Sequence, residues 1–376
     1  MKILVISHEY PPIGGGGGQV VADVCAHLAA RGHQVYLLTA LYGDLPRKDV
    51  QGNLTIERIP SCRTQAYRAG FMTMACFILK AIGRGSRVIR EFHPDVIQAH
   101  FAVPAGAAAY VLSGLFRVPY VITAHGGDVP GGAPQKTDKW FRLVQPFTRP
   151  FWKKAARVIS VSEQTRRFAL QHYPVDIQVI PNGIDTQACQ PGVYDPAKTP
   201  RMLYIGRFSP EKNAIAVPAV LERIRDLDWR CAMLGDGPQM EDVRQSLALS
   251  GLSERVDLPG WVTPQEVNQW LAKSDILLMP SLLDSMPIAG LQGLAMGLAL
   301  VLSDIGSCPD YIDDQGRNGF LVPPGDLDGY AAALRRLLSD KKLLKNARAA
   351  SRAHAQRFDL TRAIDDYEKI LGEAAA

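Results

Sequence analysis

Apolar positions along this chain follow two alternating patterns. Short β-branched or leucine-rich runs are bounded by turn residues, and between them apolar positions recur three and four residues apart. The first pattern predicts strands and the second predicts helices. KILVIS (2–7) opens the series and a glycine-rich turn, IGGGGGQ (13–19), follows it. In VVADVCAHLAARGH, Val20, Val21, Val24, Leu28 and Ala29 keep near-helical spacing until Gly32 stops the helix. QVYLLT (34–39) is strand-like again. A strand, a helix and a strand in about 38 residues imply a parallel pair with a helical crossover. DVIQAH (95–100), YVITAH (120–125) and RVISVS (157–162) continue the strand series, each trailed by turn signals.

The cycle restarts after Pro-Asn-Gly-Ile-Asp (181–185), where Pro-Asn-Gly supplies turn chemistry. RMLYIG (201–206), RCAMLG (230–235), VDLPG (256–260), DILLMPS (275–281) and ALVLSD (299–304) read as strands. Residues 214–226, 238–252, 264–273, 285–297 and 327–339 read as helices, and 360–374 as one more amphipathic helix. The predicted class is α/β: two Rossmann-like, doubly wound parallel-sheet domains over residues 1–180 and 186–356, with a terminal segment 357–376. Ligands of open parallel sheets bind outside the carboxyl ends of the strands. The polar and glycine-rich motifs at 8–19, 124–128, 206–212, 235–238 and 281–292 all follow strands, so they are expected to open on one cleft between facing domains.

Composition agrees with two globular cores: 376 residues, 47% hydrophobic and 21% charged. It excludes a disordered or collagen-like chain. No run approaches the roughly 18 apolar residues of a membrane-spanning helix. MKILVISHEY turns polar too early for a secretory signal. The six cysteines (Cys25, Cys62, Cys76, Cys189, Cys231 and Cys308) contain no CxxC pair, which argues against a metal cage and a disulfide framework. The expected setting is reducing and cytoplasmic. The net charge of +5 conceals a balance of +9 in residues 1–185 and −4 in the remainder. Such asymmetry points to an anionic partner for the first half, either nucleic acid or an anionic membrane. Lys80, Arg84 and Arg87 share a helix face, and residues 136–167 interleave nine Lys and Arg with Trp140, Phe141, Phe147, Phe151 and Trp152. Basic residues with aromatics suit a lipid headgroup surface or a single nucleic-acid strand; a core helix with a solvated face is the plainer alternative.

Several motifs carry candidate chemistry, each with a plainer reading beside it. Gly14–Gly18 lets backbone amides approach a ligand, or is simply a flexible loop. It is neither a GxGxxG fingerprint nor a P-loop, which disfavours a dinucleotide oxidoreductase. His125 ends a strand within Thr-Ala-His-Gly-Gly-Asp (123–128), with no second histidine at metal spacing. Arg207 and Lys212, five residues apart between a strand and a helix, suit a diphosphate: the arginine by bidentate contact, the lysine as a point charge. Alternatively they are a solvated surface pair. Gly235-Asp236-Gly237-Pro238 is by itself only a turn signature. Asp284 precedes a helix and Gln292 falls on its second turn, so both could reach along one elongated ligand.

Taken together and in order, these residues resemble the retaining nucleotide-sugar glycosyltransferases of the GT-B fold, in particular glycosyltransferase family 4. The resemblance runs nearly end to end. It rests on Pro11, Pro12 and Gly14–Gly16; Arg31-Gly32-His33; His125, Gly126 and Asp128; Pro-Asn-Gly-Ile-Asp at 181–185; Gly206, Arg207, Pro210, Glu211 and Lys212; Gly-Asp-Gly-Pro at 235–238; and Asp275 with Pro280-Ser281. The family usually carries two glutamates with seven residues between them where this chain has Asp284 and Gln292, and Gly-Phe-Gly where it has Ser285-Met286-Pro287. The shorter Asp284 implies a different sugar or a different grip on the same one. Gln292 can still hydrogen-bond ribose hydroxyls without the charge.

The resemblance implies metal-independent transfer of a sugar, with retention, from a nucleoside-diphosphate sugar to a hydroxyl acceptor. The acceptor would be a glycan or lipid-linked molecule at the cytoplasmic membrane face, and no cofactor is implied. His125, Arg207, Lys212 and Asp284 would be catalytic. Gly14, Gly15, Gly16, Asp128, Asn182, Gly235, Val262, Met286, Ile288, Ala289 and Gln292 would bind substrate, with no metal ligand among them. Domain closure about 181–185 and a final helix returning to the first domain are further implications. No carboxylate in the first domain is placed like a glycosidase nucleophile. A nucleotide-sugar epimerase of the same fold and a non-catalytic glycosyltransferase partner are the competing readings, and nucleic-acid binding, which rests on charge alone, ranks below membrane contact.

Overall fold

Ile3, Leu4, Val5 and Ile6 are wholly buried because β1 (Lys2–Ile6) runs through the middle of a sheet covered on both faces. This computed structural model describes residues 1–65, 69–132, 146–189 and 198–376. They divide into two units, Met1–Asn182 with Thr361–Ala376, and Gly183–Leu360. The first unit adds β2 (Gln34–Leu41), β3 (Lys48–Gln51), β4 (Leu54–Pro60), β5 (Val96–His100), β6 (Tyr120–Ala124), β7 (Arg157–Ser160) and β8 (Gln178–Val179). The strand order is β3-β4-β2-β1-β5-β6-β7-β8, parallel throughout except that β3 pairs antiparallel with β4. Helices α1 (Gly16–Ala30), α2 (Phe71–Phe92), α3 (Ala107–Phe116) and α4 (Glu163–Leu170) belong to this unit. Ser162 caps α4 by accepting from the Thr165 amide at 3.1 Å. Phe77, Leu112 and Trp152 fill the core, and Trp152 stacks on Tyr173 with ring centroids 4.5 Å apart.

The second unit holds a six-stranded parallel sheet, β9 (Arg201–Ile205), β10 (Arg230–Leu234), β11 (Val256–Gly260), β12 (Ile276–Met279), β13 (Ala299–Ser303) and β14 (Gly319–Val322), in the order β11-β10-β9-β12-β13-β14. Its helices are α5 (Ala216–Glu222), α6 (Met240–Leu249), α7 (Pro264–Ala272), α8 (Ile288–Ala295), α9 (Cys308–Tyr311), α10 (Leu327–Ser339) and α11 (Lys341–His354). A capping box of Thr263 and Glu266, with Pro264 in the first turn, starts α7 where the pattern placed it. Met202, Phe208, Trp229, Tyr330 and Leu334 lie in its core. The last helix, α12 (Leu360–Ala375), belongs from Thr361 onward to the first unit. Arg31 donates to Glu368 at 2.7 Å, and His33 bonds the other oxygen of Glu368 at 2.8 Å, so Arg31-Gly32-His33 ties α12 to the end of α1.

Several elements depart from the pattern. The β3–β4 hairpin, β14 and α11 were not foreseen. Helix α8 begins at Ile288 rather than 285, because the Ser285 carbonyl accepts the Ser307 amide (2.9 Å) and Pro287 is extended. Gly16, Gly17 and Gly18 are the first turn of α1 rather than part of a loop. Their lack of a side chain reflects crowding: a Cβ on Gly17 would come 2.8 Å from Phe101, and one on Gly18 would come 3.0 Å from the Ile13 carbonyl. Cys62 and Cys76 are joined in a disulfide, Cα–Cα 6.3 Å, contrary to the reading of the cysteine spacing. The basic face of α2 is smaller than its spacing suggests, since Arg84 is spent on Glu57 at 2.6 Å. Trp152 points into the core rather than outward, and Trp140 and Phe141 lie outside the described residues.

Candidate active site

In the first unit, the register that sets His100 beside Thr123 brings the carboxyl ends of β5 and β6 together. Asp128 fixes both ends. Its carboxylate accepts the Ala102 amide at 2.5 Å and the His125 amide at 2.9 Å, and the amides of Gly126 and Asp128 itself also point at it. Burial still outweighs these donors and pushes the Asp128 carboxyl up to about 6. His125 Nε2 lies 3.1 Å from His100 Nδ1, and its ring packs on Phe101 with centroids 4.4 Å apart. Phe101 in turn meets His8 edge-on at 4.8 Å. Gly14, at φ +90°, lies against Glu9, whose carboxylate accepts the Gly15 amide at 3.3 Å. Three histidines from three strand ends thus gather around Phe101 and His125, and His125 faces the first turn of α1. Asn182 is buried at the end of this unit.

These histidines are held neutral. Burial pulls His125 down to about 3, with His8 nearby adding to it; burial and the Arg63 guanidinium do the same to His8; burial then His125 lower His100. The unfolded chain takes up protons near pH 6.5, whereas His8 and His125 resist in the native state until near 3. Stability from these two neutral histidines is therefore complete above 6.5 and is lost as pH falls from there toward 3. For the buried His8, the expected slope is about 1.4 kcal/mol per pH unit in the middle of that range. His8→Leu is expected to flatten the fall in apparent Tm between pH 6 and 4, as followed by scanning calorimetry. An unchanged slope would mean that His8 is not protonated on unfolding.

In the second unit, three strand ends are zipped together: the Gly206 amide donates to the Leu234 carbonyl (3.0 Å) and the Gly235 amide to that of Gly260 (2.9 Å). Gly235, at φ +136°, has room for no Cβ, which would lie 1.9 Å from the Gly206 carbonyl oxygen. The Gly-Asp-Gly-Pro turn is therefore packed against the loop that carries Arg207. That loop also docks on the end of β12. The amides of Leu282 and Leu283 donate to the Glu211 carbonyl (2.9 and 3.1 Å), and Asn213 Nδ2 donates to that of Pro280 (3.1 Å). The docking delivers Lys212 to Asp284, with which it forms an ion pair, while Arg207 lies 3.6 Å from Glu211. The two cations are thus balanced by two carboxylates, a balance the sequence reading did not foresee. Gly306 backs the same segment, since a Cβ there would lie 2.1 Å from the Asp284 carbonyl oxygen. Met286 is buried, and Ile288 and Ala289 open α8, whose first turn has no side-chain cap. Gln292 follows one turn on, half-buried, and Val262 lies in the turn after β11.

Comparison with known proteins agrees with this architecture. The Glycosyltransferase Family 4 model matches residues 14–188, and the model for glycosyl transferases group 1 matches residues 199–340. The chain belongs to the family 4-like GT-B glycosyltransferases. The GDP-mannose:cellobiosyl-diphosphopolyprenol alpha-mannosyltransferase of Xanthomonas oryzae pv. oryzae is 27% identical, over 99% of this chain and 98% of its own. The sulfoquinovosyl transferase SQD2 of Arabidopsis thaliana is 26% identical over 72% of this chain, which spans only 55% of that protein. A crystal structure of Anabaena Alr3699/HepE in complex with UDP-glucose superposes with a TM-score of 0.78 at 18% identity, over 99% of each chain, and shows the shared fold.

As a family 4-like chain it departs from the usual pattern at Asp284 and Gln292, and the geometry gives Asp284 a partner in Lys212. His8, Glu9 and His100 were not singled out beforehand, and Glu211 was named only as part of the Gly-Arg to Pro-Glu-Lys motif, with no role of its own. The sequence signal for His100 was present, since DVIQAH and YVITAH both end in histidine and lie on adjacent strands. Among the described residues no helix is long and apolar enough to cross a membrane.

Proposed function

We propose that this protein is a retaining glycosyltransferase that moves a sugar from a nucleoside-diphosphate sugar to a hydroxyl acceptor. The observation that carries the reading is the convergence of Arg207, Lys212 and Asp284 beside the uncapped start of α8. An arriving diphosphate competes with Glu211 and Asp284 for the two cations, and the Ile288 and Ala289 amides add the positive end of the helix dipole. As the glycosidic bond to the diphosphate breaks, negative charge grows on the leaving phosphate, and these donors stabilise it most at that moment. In the family picture the departing phosphate accepts the proton of the acceptor hydroxyl, on the face from which it leaves. Asp284, released from Lys212, would hold hydroxyls of the donor sugar, and Gln292 those of the ribose. Gly235, Val262 and Met286 would border the nucleotide sugar. His125, presented by Asp128, would touch the transferred sugar, and Gly14–Gly16 and Asn182 would border phosphate and acceptor. Cations and dipole would take the place of a divalent metal, and no cofactor is called for.

The acceptor we propose is a glycan or lipid-linked hydroxyl at an anionic membrane surface. Its support is the exposed apolar face of α2 (Phe71, Met72, Leu79) beside exposed Lys80, Arg87 and Arg90, together with the polyprenol-linked substrate in the name of the Xanthomonas relative.

Thermal shift with UDP, GDP and ADP and their sugars tests the donor, because a ligand at 100 times its Kd stabilises the native state by about 2.7 kcal/mol. The stabilising donor is then incubated in EDTA with polyprenol-linked saccharides in anionic vesicles, and the linkage formed is read by NMR. A retained anomeric configuration and undiminished turnover in EDTA are expected. A new nucleotide sugar formed without acceptor would make the protein an epimerase. Nucleotide binding with no transfer would make it a non-catalytic partner.

A further inference from the structure

We propose that His100 is a positioning residue for His125: it donates its Nδ1–H to His125 Nε2, and so keeps the proton of His125 on Nδ1, aimed at an oxygen of the transferred sugar. The inference rests on the reading above that His125 touches that sugar. His100 Nδ1 and His125 Nε2 lie 3.1 Å apart, so one of two imidazoles donates and the other accepts. Neither ring can do both through the same nitrogen, and the direction of this one bond fixes both tautomers.

The other nitrogen of His100 decides the direction. His100 is wholly buried, and its Nε2 has no hydrogen-bond partner among the described residues. If Nδ1 accepted, the ring proton would sit on Nε2, leaving a buried N–H with no acceptor. If Nδ1 donates, Nε2 keeps only a lone pair, and buried bare acceptors are tolerated more often than orphaned donors. The groups around the pair are consistent with two neutral rings. Tyr367 of α12 lies over His100 with centroids 6.2 Å apart, and Phe101 separates His125 from His8. Asp128 spends its carboxylate on backbone amides of the two strand ends. Accepting through Nε2, His125 carries its proton on Nδ1, the nitrogen that would lie 3.8 Å from a Cβ on Gly17. Glycine therefore keeps any side chain of α1 from packing between Phe101 and this defined donor. Asp128 sets the backbone of both strand ends and His100 sets the proton, so a sugar oxygen meets a donor whose place and polarity are already determined.

The test is nitrogen-15 NMR of the full chain labelled at histidine, with the His125 signals identified by their loss in His125→Asn. The expected wild-type signature at pH 7 is a protonated Nδ1 and an accepting Nε2. In His100→Leu that preference should disappear. In His100→Gln, whose side-chain amide can donate from nearly the same place, it should return. Turnover is expected to follow the tautomer: kcat falls about 10-fold in His100→Leu with KM for the nucleotide sugar unchanged, and recovers most of the loss in His100→Gln. A His125 proton on Nε2 in the wild type, or full turnover in His100→Leu, overturns the proposal. Should His100→Leu fail to fold, the wild-type tautomer and the His100→Gln variant decide. If no nucleotide sugar is turned over by the wild type, the glycosyltransferase reading fails, while the NMR signature still judges the pairing.

Discussion

Lys212→Ala is expected to lower the kcat of sugar transfer by about 10²-fold or more, and Arg207→Ala by a comparable factor, the scale of losing one donor to a developing oxyanion. The two losses should differ in kind. Arg207 is more than a third exposed and its carboxylate partner is 3.6 Å away, so its removal subtracts a donor and little else. Lys212 is paired with Asp284, whose side chain is 13% exposed. Its removal leaves a largely buried carboxylate facing the site of an incoming diphosphate, and repulsion is added to the lost attraction. Lys212→Ala should therefore raise KM for the donor as well as lower kcat. The double variant Lys212→Ala, Asp284→Asn should regain part of the KM, because the uncompensated charge is gone. Steady-state kinetics with the donor found by thermal shift measure both effects. Wild-type kinetics in both single variants would refute the assignment of these cations to the leaving diphosphate.

The same pair shows what the sequence could and could not convey. Gly206-Arg207 through Lys212 was legible as a cationic loop after a strand, and DILLMPS as the strand that precedes Asp284. Their meeting depends on the Glu211 carbonyl accepting two amides from residues more than seventy positions away, and no local pattern encodes that bond. The first unit repeats the lesson. The parallel runs DVIQAH and YVITAH were read as strands, and they are β5 and β6. That these two strands are neighbours, and that His100 is thereby bonded to His125, follows from the order and register of the sheet. The glycine run was legible in composition and misread in conformation. Glycine is required in its helical turn by Phe101 and Ile13, side chain and carbonyl respectively, which leave no room for a Cβ. The β3–β4 hairpin escaped because KDVQ is polar and only half of a strand's signal, an edge strand stabilised mainly by its partner.

Arg348→Ala is expected to lower stability by about 3–5 kcal/mol, because it strands a buried carboxylate. Arg348 donates to Asp275 Oδ1 at 2.6 Å, and the two side chains are only 3% and 4% exposed. The other oxygen of Asp275 accepts the Arg201 amide at 2.9 Å, and Arg348 Nε donates to the Gly297 carbonyl at 3.0 Å. The pair thus fastens α11 to the starts of β9, β12 and β13 at once. Removing the guanidinium leaves both a charge and a carbonyl without their partner. An apparent Tm lower by about 10 °C is expected in scanning calorimetry. Arg348→Met with Asp275→Asn should recover much of the loss, since the charge to be compensated has gone and the remaining amide can still accept from Arg201. A double variant no more stable than Arg348→Ala would show that packing, and not the charge, was lost. The site offers a further check: Asp275 starts the strand whose far end leads to Asp284, yet lies at the opposite end of the sheet from the cations. Donor KM should therefore stay unchanged well below the lowered Tm, so that stability falls while binding does not.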